Sequence, residues 1–205
     1  MSAQRAALIW SGILAICVVP VLLAAYSPYL AWRQPVYIAS GFAGIIGLIL
    51  IFLQPLLAGG YLPKIGMRRA RMVHRWTGAA LVLAVIIHVG GLWLTSPPDV
   101  IDALTFTSPT PFSDWGVIAM WALFAAASLG AARAWLRLPP RIWRLAHTAL
   151  VVIATLGTIV HALLIEGTME PISKAILCVL AMAALFKTLR DLRSVALLRT
   201  VLRRS

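Results

Sequence analysis

Six long apolar runs dominate the chain, at about Ala6–Tyr26, Val36–Leu57, Trp76–Leu94, Asp114–Ala132, Leu145–Ile165 and Pro171–Leu185. A hydrocarbon core about 30 Å thick is crossed by about 20 apolar residues of α-helix. In lipid, an isolated segment must satisfy its own backbone N–H and C=O groups, and a helix does so. The expected fold is therefore all-α: a polytopic membrane bundle of six transmembrane helices. Composition agrees, since 61% of the 205 residues are hydrophobic and only 12% are charged, about half the charged share of a soluble domain. The first run, after Arg5, is longer than the core of a cleaved leader and reads as a first span. Pro20 and Pro55 are expected to kink or end their helices.

The formal net charge of +12 would suggest nucleic acid in a soluble protein. Here the basic residues flank the apolar runs and alternate from one connection to the next. One set of segments carries Arg5; Lys64, Arg68, Arg69, Arg71 and Arg75; Arg133, Arg137, Arg141 and Arg144; and Lys187, Arg190, Arg193, Arg199, Arg203 and Arg204. That is all but Arg33 and Lys174 of the 18 basic residues. Asp99, Asp102, Asp114, Glu166 and Glu170 lie in the opposite set. The positive-inside rule then puts both the N- and C-termini in the cytoplasm. The partner is the lipid bilayer, and nucleic acid is excluded. The tail after Leu185 is expected to continue the last helix along the membrane surface. The Thr95–Phe112 loop, with Pro97, Pro98, Pro109 and Pro111, reads either as a cap on the bundle or as a plain connector. Cys17 and Cys178 sit alone inside apolar runs, without a C-x-x-C or C-x-x-C-H pattern, and read as packing residues.

The chain has four histidines, and they fall on two spans. His74 and His88 are on the third, His147 and His161 on the fifth, each pair 14 residues apart. Fourteen helical steps return to within about 40° of the start and rise about 21 Å, so each pair shares one face at two depths. Two such helices facing one another place His74 opposite His147 near the cytoplasmic edge, and His88 opposite His161 near the outer edge. Each opposed pair can supply two axial nitrogens to one haem iron. The expected cofactors are two haem b groups with bis-histidine ligation, and a saturated iron of this kind passes electrons. Histidines buried in a membrane are costly, and helix–helix hydrogen bonding alone does not explain four of them at one repeated spacing. A single zinc-like site is ruled out by the separation of about 21 Å within each pair.

Between the ligands, Gly78, Leu81, Val82 and Val85 on the third span, and Leu150, Ala154 and Gly157 on the fifth, read as a small and apolar wall for a porphyrin, or as close-packing positions. Arg71, Arg75, Arg141 and Arg144 are candidates for pairing with haem propionates, beside their topological role.

The arrangement resembles the ferric reductase-like transmembrane domain shared by ferric reductases and NADPH oxidases. The matching residues are H-R-W-T-G at His74–Gly78, then His88, then W-R-L-A-H at Trp143–His147, then His161. The resemblance covers essentially the whole chain, taken as one haem domain over residues 1–205. It implies two bis-histidine haems between the third and fifth helices. No strand followed by G-x-G-x-x-G occurs, so no FAD- or NAD-binding domain is expected, and no residue indicates a flavin. The implied donor is a separate flavoprotein or a membrane quinol; the implied acceptor is ferric iron or a periplasmic redox protein. The chain is also similar to the haem-binding membrane subunit of the periplasmic methionine sulfoxide reductase system. The size suggests a bacterial inner-membrane protein. A haem-free transporter or assembly protein with structural histidines is the rival from another class, and it would show no Soret band.

Overall fold

Proline punctuates the helices. In the computed structural model, which describes residues 2–201 with side chains through Asp191, the helices are α1 (Ala3–Ala25), α2 (Pro35–Gly59), α3 (Met67–Thr95), α4 (Pro97–Leu104), α5 (Pro111–Ala131), α6 (Arg133–Leu136), α7 (Pro140–Leu164) and α8 (Pro171–Val201). Five of these begin on a proline, whose fixed φ suits the first turn and whose missing N–H is not needed there. Ser2 caps α1 by accepting from the Arg5 N–H. Gly60, at φ 68°, ends α2 in the left-handed conformation, its N–H turned back to Leu56 and Leu57.

Among the described residues, six helices are long and apolar enough to cross a membrane: α1, α2, α3, α5, α7 and α8 to Asp191. The sequence expectation of six spans stands, with three adjustments. First, α3 and α7 begin at Met67 and Pro140, well before their apolar runs. Polarity does not stop a helix, and arginine stems can lie along it with their heads in water. Second, Pro20 and Pro55 lie inside α1 and α2 and end neither. Both are accommodated within their helices, and beside Pro55 the Thr188 hydroxyl of α8 donates to the Pro55 carbonyl at 3.1 Å. Third, the loop after α3 contains the ordered helix α4, which packs on both α3 and α5. The last helix does continue past Leu185. Arg203 and Arg204 lie outside the described residues, as do the side chains of Arg193 and Arg199.

Packing is uneven, and that positions the site. The central helix is α2, with α3 against one side and α8 against the other, while α5 packs closely on α7. The main core cluster joins Ala24 of α1, Ile45, Leu48, Ile49 and Phe52 of α2, Ile159 of α7, and Leu177, Cys178, Ala181 and Ala184 of α8. Cys17 packs against it, so both cysteines are packing residues. Where the chain turns back after α2, Tyr61 donates to Asp191 of α8 at 2.5 Å, and Lys187, one turn away on α8, bonds the same carboxylate at 2.9 Å. The backbones of α3 and α7 barely meet, although α3 touches α5 and α2 touches α7 lightly. The two histidine-bearing helices thus lean on separate partners and stand diagonally across a four-helix arrangement.

Candidate functional site

The four histidines occupy matching places, the eighth and twenty-second residues of α3 and of α7. Each ring is fixed in the same way. The Nδ1–H of His74 donates to the Gln54 carbonyl at 3.3 Å, and that of His88 to the Ser40 carbonyl at 2.8 Å. On the other side His147 donates to Ala126 at 3.2 Å and His161 to Phe112 at 2.7 Å. A carbonyl oxygen only accepts, so Nδ1 carries the proton and each neutral ring keeps its Nε2 lone pair uncommitted. Tying one ring nitrogen to a backbone carbonyl is how ligating histidines are oriented in metal sites.

Glycine makes room for two of the rings. A Cβ on Gly44 of α2 would come within 3.0 Å of His88 Nδ1, and one on Gly116 of α5 within 2.7 Å of the His161 ring. The rings of His88 and His161 then meet across the bundle, their centres 6.4 Å apart and their planes at 80°. Phe112 approaches His161 edge-on at 5.9 Å. At the other level, Trp143 stacks on His147 at 5.0 Å, with planes 9° apart. Its indole N–H is tied to the Leu129 carbonyl, and the Arg133 guanidinium covers its other face at 4.3 Å. His74 is set by a different device: Gln54, whose carbonyl it bonds, donates its side-chain amide to Thr77 at 2.9 Å.

These contacts reveal a repeat. Ser40 and Phe112, Gly44 and Gly116, and Gln54 and Ala126 are each 72 positions apart; His74 and His147, and His88 and His161, are each 73 apart. The α2–α3 hairpin and the α5–α7 hairpin are two versions of one unit. Arg71 and Arg144 share the same register, each three residues before a histidine, and so do Arg68 and Arg141. Sequence reasoning proposed Arg71, Arg75, Arg141 and Arg144; all four are exposed on the first turns of α3 and α7, at the level of His74 and His147. Arg68, at the register of Arg141, is exposed as well.

The small residues resolve toward helix packing. Gly78 faces the Gln54 side chain of α2, while a Cβ on Gly157 would press the Ala119 Cβ and Trp115 carbonyl of α5 at 3.0 Å. Leu81 is buried beside Gly47 of α2. Val82 and Ile86 instead line an apolar cavity of about 240 Å³ with Phe124, Ala127 and Ser128 of α5. Among the described residues there is no group of three or more His, Cys, Asp or Glu side chains able to hold a metal ion. What the geometry offers is pairs of imidazoles.

No curated protein and no solved structure matches the chain. A family model does, over residues 11–158, a span that includes His74, His88 and His147 and stops three residues before His161. Its members typically bind haem and carry electrons in membranes. Six candidate spans, two histidine-bearing helices and this match make the chain a member of the ferric reductase like transmembrane component family.

Proposed function

We propose that the chain is a b-type cytochrome with two bis-histidine haems, ligated by His74 with His147 and by His88 with His161. One observation carries this reading: all four histidines spend Nδ1 on a backbone carbonyl and keep Nε2 for something else. The residues suit an iron held between two imidazoles. With metal–nitrogen bonds of about 2 Å and each nitrogen about 1 Å from its ring centre, two in-line imidazoles have centres about 6 Å apart. The outer pair stands at 6.4 Å. The diagonal placement of α3 and α7 supports room for a flat macrocycle between them. Haem bound at these two levels supplies one-electron carriers about 21 Å apart along the helix axis. The exposed arginines Arg71, Arg75, Arg141 and Arg144 would meet carboxylates at the inner level.

By the charge pattern both termini are cytoplasmic, and in this reading electrons pass from that side outward. The donor is a separate flavoprotein or a membrane quinol, the acceptor is ferric iron or a periplasmic redox protein, and the setting is a bacterial inner membrane. The test is a pyridine hemochrome assay on protein purified after expression with ample haem. Two b haems per chain are expected, and none would overturn the reading.

A further inference from the structure

Ser40 grips His88 at two points. Its carbonyl accepts the ring Nδ1–H at 2.8 Å, and its hydroxyl donates to the backbone carbonyl of His88 itself. Ser40 is fully buried, and Gly91 lets it sit that close, since a Cβ there would fall 2.8 Å from the Ser40 Cβ. Gly44, one turn along α2, leaves the space that the same Nδ1 side of the ring occupies, since a Cβ there would fall 3.0 Å from Nδ1. The His88 ring therefore has its tautomer, its position and its rotation fixed by one short stretch of α2. Its counterpart His161 has the Phe112 carbonyl as acceptor and the Phe112 ring edge-on beside it, but no hydroxyl from position 112.

We propose that Ser40 is a positioning residue that holds the His88 ring crossed to that of His161, and so sets the spectroscopic character and potential of the outer haem. This rests on the bis-histidine reading above. Axial imidazoles with crossed planes give ferric low-spin haem an EPR signal with a large principal g value, and parallel planes give a rhombic one. A firm Nδ1–H···O=C bond also makes the ring a more basic ligand and stabilises ferric iron.

Ser40→Ala removes the hydroxyl grip while leaving the acceptor carbonyl in place. Ser40→Cys keeps the volume with a weaker donor. Each variant is compared with the native protein by hemochrome count, EPR and redox titration. With two haems retained, Ser40→Ala should broaden or shift one large-g signal and move one midpoint to a more positive potential. The other haem should be unchanged, and the Cys variant should fall between. Two haems with native EPR and native midpoints in both variants would overturn the role of Ser40 and leave the haem reading intact. No haem in the native protein would instead defeat the reading on which it rests. Where the Ala variant does not accumulate, the Cys variant decides: a one-haem shift supports the role, and native values refute it.

Discussion

The two hairpins solve one problem with different chemistry. In α2–α3 the histidines are set by polar side chains, the Ser40 hydroxyl at one level and the Gln54–Thr77 pair at the other. In α5–α7 aromatic rings do the equivalent work, with Phe112 edge-on to His161 and Trp143 flat on His147. What stays constant is the backbone carbonyl that accepts each Nδ1–H. A main-chain acceptor survives any side-chain change that keeps the helix in place. The repeat could therefore diverge in sequence while keeping its four ring nitrogens aimed alike.

The largest expected effect tests whether haems lie between the hairpins or within one. His74→Ala with His147→Ala should leave one haem per chain by hemochrome assay. His74→Ala with His88→Ala should leave none, because each removes one ligand from a different level. Loss of both haems in the first double variant, or retention of one in the second, would mean that the histidines are not paired level by level and would break the comparison at its root.

A smaller effect compares the two glycines that admit the rings. Gly116→Ala presses the His161 ring harder than Gly44→Ala presses His88, at 2.7 against 3.0 Å. Overpacking a tight site costs about 1–3 kcal/mol, so both variants should melt earlier in detergent and hold the outer haem less well, Gly116→Ala the more so. Gly130→Ala, with nothing within 4 Å, should match the native protein. Equal melting of all three would mean that the ring slots are not tight.

The smallest effect lies at the inner level. Aromatic stacking contributes about 0.5–1.5 kcal/mol beyond area burial. Trp143→Leu should therefore lower thermal stability modestly and perturb the spectrum of one haem only. An unchanged spectrum would remove Trp143 from the comparison and leave the His147 ring to its carbonyl alone.

Much was legible beforehand where the signal is carried by side chains along one segment. The apolar runs specified six spans because lipid leaves a spanning segment few alternatives to a helix. The spacing within each histidine pair implied a shared face because helical periodicity is local. Helix starts were less legible: the arginines before His74 and His147 read as loop, yet they belong to α3 and α7. Gly78 and Gly157 were read as a porphyrin wall or as packing positions, and only their neighbours show that they seat α3 on α2 and α7 on α5.

By itself, then, the sequence determined the membrane as solvent, the helical class, and the four imidazoles with their two depths. These follow from hydropathy and from the rise of one helix. The fold decided which ring nitrogen is committed, that Ser40 grips His88 twice, and that α3 and α7 stand apart on separate partners. The acceptors lie 20 to 49 residues away in the chain and are main-chain carbonyls. Every residue has such a carbonyl, so residue type carries no mark of which one will face a histidine until the helices are packed.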